Sequence, residues 1–217
     1  SISFSSAARK LVYAKLTLRQ NIWAYTLDQR ATISIRDGRP VTTGNEVIEL
    51  HDVSPDGTWI VYDSNLRGSM DLYKRPLAGG DAVPLTDART DVDGPRWSPD
   101  GTAIAFHGFV RAGGLDDVEA LVVSAEGGTP VVLTSSLGRD DFPVWSPDGL
   151  DIAFRSTRTG RAEVWLLSRA SVTGEWREAV QLTHSGCRPT DWAPDGSGVL
   201  CASTLDLLLV SRQGRVV

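Results

Sequence analysis

Nowhere in this 217-residue chain do 18 apolar residues follow one another, so no segment reads as a membrane-spanning helix. Lys and Arg are never clustered, and 22 of them stand against 27 Asp and Glu, a poor basis for binding a phosphate backbone. No Gly-x-Ser-x-Gly elbow and no helix-rich stretch is present, so the sequence offers neither a hydrolase nucleophile nor room for a hydrolase domain. Met occurs once and Cys twice. An initiator Met and a basic-then-apolar leader are both missing from Ser1-Ile2-Ser3-Phe4, which reads as the start of a processed or excised piece. Against these shortages stand 21 Gly, 11 Pro and 7 Trp: many turns and many large anchors, the composition of a chain of short strands.

An internal repeat organises those residues. Ser54-Pro55-Asp56-Gly57, Ser98-Pro99-Asp100-Gly101, Ser146-Pro147-Asp148-Gly149 and Ala193-Pro194-Asp195-Gly196 are copies of one tetrapeptide, with a decayed copy at Ser5-Ser6-Ala7-Ala8. Their first residues are 49, 44, 48 and 47 positions apart. Pro presets φ for a type I turn, Asp suits the next position, and Gly supplies the left-handed residue that closes a bulged hairpin. Each copy therefore joins a strand A to a strand B. Strand A ends in an anchor (Phe4, Val53, Trp97, Trp145, Trp192), and strand B is apolar on both faces, as in Ile60-Val61-Tyr62 or Ile104-Ala105-Phe106. Both faces must then be buried. A polar residue opens strand C (Asn21, Asp71, Glu119, Glu163, Asp206), and strand D closes on Val41-Thr42, Leu85-Thr86, Leu133-Thr134 or Leu182-Thr183. Four antiparallel strands per unit of roughly 45 residues, buried on both faces, predict an all-β fold: a β-propeller of five visible blades, at about 1–44, 45–88, 89–136, 137–184 and 185–217.

The Trp-Ser-Pro-Asp-Gly, Ile-Ala-Phe and Leu-Thr pattern resembles the WD40-like repeat of TolB-type propellers across essentially the whole chain. The resemblance implies a propeller of six or more blades. The five repeats then read either as a five-bladed ring or, as the strand order favours, as part of a longer protein whose open edge could drive self-association. It further implies a periplasmic or extracytoplasmic location. In such folds strand A lines a central channel and the B–C and D–A loops form one face of the disc.

On that face Glu49, Asp93, Asp141 and Arg188 each precede an anchor by four residues, while Arg19, Arg67, Arg111, Arg158 and Arg161 lie in the B–C loops. Together they outline a charged rim that would dock a protein or peptide, unless each Arg simply pairs with a neighbouring carboxylate. No cofactor or metal is expected. Asp91-Val92-Asp93-Gly94 lacks the remaining ligands of a calcium loop, and His51, His107 and His184 occupy different registers. Trp176, in the turn Gly174-Glu175-Trp176-Arg177, is expected to cover a blade edge. Insertions at 28–39, 107–117 and 168–178 are read as loops. If the last hairpin pairs Ala193 with Ser197, Cys187 faces Ser203 and Cys201 faces Pro189, which predicts two buried thiols and no bridge. The leading expectation is a non-enzymatic protein-binding scaffold. The alternatives are a regulatory or gating propeller of a larger peptidase, sensor kinase or transcription regulator, and a metal-dependent carbohydrate-active propeller with His51 in the channel.

Overall fold

The computed structural model describes residues 2–5, 10–13, 20–25, 36, 38–87, 91–112, 115–184, 186–203 and 205–217, with side chains from residue 20 onward except 111–116. Antiparallel strands follow one another in chain order. The first unit comprises two separate ladders, β1 (Ile2–Ser5) with β2 (Lys10–Tyr13) and β3 (Trp23–Ala24) with β4 (Arg39–Pro40). The single four-stranded sheet expected there is not seen among the described residues. The next three units are complete sheets. They are β5 (His51–Val53), β6 (Trp59–Ser64), β7 (Asp71–Pro76) and β8 (Val83–Pro84); then β9 (Val92–Trp97), β10 (Ala103–Ala112), β11 (Leu115–Ser124) and β12 (Val131–Val132). The third is β13 (Asp140–Trp145), β14 (Asp151–Ser156), β15 (Glu163–Ser168) and β16 (Val180–Gln181). The last unit has β17 (Arg188–Trp192), β18 (Gly198–Ala202) and β19 (Leu207–Ser211), and a Val210–Val216 bridge opens its fourth strand.

The tetrapeptide does its expected work. In the first three intact copies the Ser hydroxyl donates to the Asp Oδ1 (2.5, 2.6 and 2.6 Å) and accepts the N–H five residues after it (2.9 Å each). Gly57, Gly101, Gly149 and Gly196 share φ of 68 to 71°, the left-handed conformation in which any Cβ is strained. A second device joins two landmarks that look unrelated in the sequence. The Thr of each Leu-Thr pair donates its hydroxyl to the acid that opens strand C: Thr86 to Asp71 (2.9 Å), Thr134 to Glu119 (2.6 Å), Thr183 to Glu163 (2.7 Å). The same oxygen accepts the following backbone N–H of Leu72, Ala120 or Val164 (3.0, 3.0 and 2.9 Å). Each outer strand is thus stapled to strand C through buried polar groups that satisfy one another.

Apolar residues do not gather into one centre; four clusters lie between consecutive units. Ile60 and Tyr62 pack on Ile22, Val41 and Ile48 of the first unit, while Val61 between them joins Trp97, Ile104 and Phe106 of the third. Ala105 faces Trp145, Ile152 and Phe154, and Ala153 faces Trp192, Val199 and Cys201. Alternate residues of strand B serve alternate neighbours, which is why B is apolar on both faces. Trp192 adds a hydrogen bond across such a gap, from Nε1 to the Val144 carbonyl (3.2 Å).

Three expectations are corrected or refined. Cys187 and Cys201 form a disulfide with Cα atoms 5.8 Å apart, although Cys201 faces Pro189 as predicted. The register at the cysteines is the expected one, and the bridge joins them as a diagonal pair next to the slip between Pro189 and Asp191. The insertion after His107 is a ladder rather than a loop, since β10 and β11 pair all the way to Ala112–Leu115. Most of 28–39 lies outside the described residues. Trp176 bridges back to Arg169 and lies tilted by 52° against Trp145, ring centroids 5.8 Å apart, with the Arg169 guanidinium over both rings.

Candidate functional site

The first strands of four successive units stand around one cavity of about 250 Å³. Leu50 and His51, Gly94 to Arg96, Phe142 to Val144 and Arg188 to Thr190 line it. Gly94 and Phe142 occupy equivalent places three residues before their Trp anchors, and both are left-handed, with φ of 68 and 52°. The ladders to β10 and β14 slip at these places. Phe142 is the one non-glycine residue with positive φ among the described residues. A large side chain held there is strained by roughly 1–3 kcal/mol. Its ring lies 4.9 Å from the Arg155 guanidinium, 5.1 Å from that of Arg188 and 5.0 Å from the His107 ring.

Behind this wall runs a row of titratable groups contributed alternately by the start of strand A and the end of the apolar part of strand B. Asp63 is fully buried and accepts the backbone N–H groups of Glu49 (2.7 Å), Leu50 (3.0 Å) and Gly94 (3.4 Å). Burial, and then the neighbouring Asp93, hold its carboxyl well above the usual carboxylate range. His107 comes next, its Nδ1 accepting the Phe142 N–H at 3.4 Å, which fixes the unprotonated nitrogen. Burial lowers its pKa despite the attraction of Asp93 and Asp141. A Cβ on Gly94 would stand 2.8 Å from the His107 ring, so only glycine fits beside it. Asp141 follows, fully buried and held by Arg155 through both carboxylate oxygens and by Arg139 Nε at 3.2 Å.

Both signs of charge meet at the mouth. Glu49, Asp91 and Asp93 line one shallow hollow of about 200 Å³ together with His107 and Arg139. Beside it, Arg139 and Arg155 hold the single carboxylate of Asp141, and the exposed Arg188 lies over the Phe142 ring on the wall of the cavity.

Among solved structures, the chain is similar to a protein assigned as TolB from Agrobacterium tumefaciens, at 26% identity and a TM-score of 0.64 over 83% of this chain and 68% of that one. It is similar to TolB from Acinetobacter baumannii at 20% identity and a TM-score of 0.65, over 82% of this chain and 45% of that one. The chain is a TolB-like β-propeller. The propeller architecture is shared with a gluconolactonase from Xanthomonas campestris, at 15% identity and a TM-score of 0.64 over 99% of this chain and 73% of that one, a likeness of fold alone. No family model and no curated protein matches the chain.

Of the seven residues expected at the rim of this TolB-like propeller, six have described side chains, and their surroundings differ. Glu49 and Arg188 are exposed at the mouth, and Asp93 is half-buried beside Asp63. Asp141 is buried and fully engaged, so it faces no partner. Arg67 is tied to the Thr86 carbonyl (2.8 Å), the Tyr73 hydroxyl (3.1 Å) and Asp71 (3.4 Å). Arg158 pairs with buried Asp140 at 2.7 Å and lies 4.3 Å over the Trp165 ring. Both are local structural pairs. The Arg111 side chain and Arg19 lie outside the described residues. Asp63, His107, Arg155, Arg96 and Phe142 were not expected at the site. The signal for three of them was the position directly after each apolar triplet, filled in turn by Asp, His and Arg. Among the described residues no group of three His, Cys, Asp or Glu could hold a metal ion, and His51 lines the cavity without such company.

Proposed function

We propose that this TolB-like propeller is a non-enzymatic scaffold that holds a protein or peptide at the mouth of its central cavity. The observation that carries this reading is the strained, arginine-flanked Phe142 beside an open cavity whose charged lining residues are Arg96 and Arg188. Strain of that kind persists where the surrounding structure enforces it, and it clusters at binding sites. Arg188 and Arg96 line the cavity, so the fitting occupant is a segment with an acidic residue next to an apolar one. The Cys187–Cys201 disulfide supports work in an oxidising compartment, in keeping with an extracytoplasmic setting.

Charge reversal at Asp141 would break a buried network, so the test belongs at the exposed positions Glu49 and Arg188. Peptides selected from a random displayed library on the wild-type protein should carry acidic residues. They should lose at least tenfold in affinity on Arg188→Glu and change preference on Glu49→Arg. Selected binders indifferent to both substitutions, or failure to select any, would refute the mouth as a docking site.

A further inference from the structure

The repeat supplies its own control for a second site, on the face opposite the mouth. Strand C ends in Ser in three units, and the residue after it is Ala125, Arg169 or Arg212. All three stand beside an anchor tryptophan at an inter-blade cleft. Arg212 lies 5.2 Å over the Trp192 ring and pairs at 2.7 Å with Asp148, the turn aspartate of the preceding unit. Arg169 lies 5.4 Å over the Trp145 ring, feels the charge of Asp100 in the preceding turn, and donates to the Gly149 carbonyl at 2.7 Å. Two clefts are thus filled from within by a guanidinium laid on the anchor ring next to a turn aspartate.

In the third cleft, between β5–β8 and β9–β12, the corresponding residue is Ala125, and a cavity of about 490 Å³ remains. Its walls keep the equivalent features: Trp97, the turn aspartate Asp56, and Gly101 in the place of Gly149. Trp59 adds a second aromatic wall. Lys74 is already committed, to Glu126 at 3.0 Å and to the Trp59 ring at 4.9 Å, while Asp56 has no ion pair among the described residues. Hydrogen bonds from Ser54 and Thr58 keep the Asp56 carboxylate ionised, with a pKa lowered to about 2. A cavity of this volume is of the size that binds side chains and small ligands.

We propose that this cleft binds an arginine side chain of a partner polypeptide, its guanidinium over Trp97 and against Asp56, in the position that Arg169 and Arg212 fill elsewhere in the same molecule. The preference for Arg over Lys follows from the flat guanidinium, which stacks on indole while its edge bonds to a carboxylate. The site does not depend on the mouth being a docking surface.

The test titrates N-acetyl-arginine amide into the protein and follows the indole N–H resonances, assigned with Trp59→Phe and Trp97→Phe. The isosteric, uncharged N-acetyl-citrulline amide is the control. Saturable shifts of the Trp97 and Trp59 signals with arginine, and at least tenfold weaker binding of citrulline, are expected. Ala125→Arg should supply the missing guanidinium from within, abolish binding of the arginine amide and raise the melting temperature. Asp56→Asn, which preserves the turn, should weaken binding at least fivefold and carries the test if Ala125→Arg does not fold. Absence of saturable shifts, equal binding of citrulline, or undiminished binding by a folded Ala125→Arg or Asp56→Asn protein would overturn the proposal.

Discussion

Replacing Thr134 by Val removes one oxygen atom and almost no volume, so it isolates the staple between strands C and D. In the native protein that oxygen accepts the Ala120 N–H at 3.0 Å and donates to Glu119 at 2.6 Å, with Thr134, Ala120 and Glu119 all buried. Valine leaves the N–H with no partner and deprives Glu119 of its hydroxyl donor. Each buried polar group left unmatched costs about 1–3 kcal/mol, so the pair should cost about 2–6 kcal/mol. For a chain of this size each kcal/mol moves the melting temperature by about 2–4 °C, which sets a fall of about 4–24 °C. Thr134→Ser keeps the hydroxyl and should lose under about 1 kcal/mol. Urea unfolding followed by tryptophan fluorescence, together with calorimetry, would compare the two variants. A Val variant within about 0.5 kcal/mol of the Ser variant would show that the shared Thr–acid pattern is not a source of stability.

Glu119 also carries a pH dependence. Burial raises its pKa from 4.5 to about 7, so the folded protein holds a proton that the unfolded chain has released, and this contribution to stability is lost as pH rises through that window. Melting temperature measured from pH 5 to 8 should fall more steeply for the native protein than for Glu119→Gln; identical slopes would remove Glu119 as the cause. The disulfide closes a loop with a sequence separation of 14, so its reduction should cost about 3 kcal/mol. The unfolded, unreduced protein should show no thiol towards Ellman's reagent, and two titrating thiols would contradict the bridge. Arg158→Ala strands the buried Asp140 carboxylate and should cost about 3 kcal/mol, whereas Arg188→Ala on the exposed rim should stay within about 0.5 kcal/mol. Equal losses in denaturant unfolding would erase the distinction between a structural pair and a binding residue.

The architecture was legible because its determinants are local. Pro, Asp and Gly set each turn within four residues, and the apolar triplet of strand B announces burial on both sides without reference to any partner. Half of the staple was equally visible, since the Thr and the acid each recur at fixed offsets. What joins them is the pairing of strands 14 to 20 residues apart. At the mouth, Glu49 and Arg188 were found by counting back from the anchors. Asp63, His107 and Arg155 were missed because each looks like the polar end of strand B. Asp63 and His107 are buried against backbone groups of the neighbouring unit, Gly94 and Phe142, and the half-buried Arg155 is held by the Asp141 carboxylate. The disulfide was missed for another reason: its register was right, but cysteines diagonal across a ladder were taken as out of bridging reach, and here their Cα atoms are 5.8 Å apart.

The outermost strands β4, β8, β12 and β16 are two residues long, yet Val83, Val131, Val132 and Val180 on them are open to solvent. An apolar sheet edge invites a stray strand from another molecule, and its brevity limits any intruder to a rung or two of hydrogen bonds. Proline strengthens the barrier: Pro40 and Pro84 lie within β4 and β8, and Pro130 immediately precedes β12, each taking one donor from the exposed rim. Of these four strands only β16, Val180-Gln181, lacks such a guard. Of these four edges, β16 is therefore the one expected to capture a stray strand in concentrated protein, and a proline at Gln181, whose N–H faces away from the ladder, should delay it.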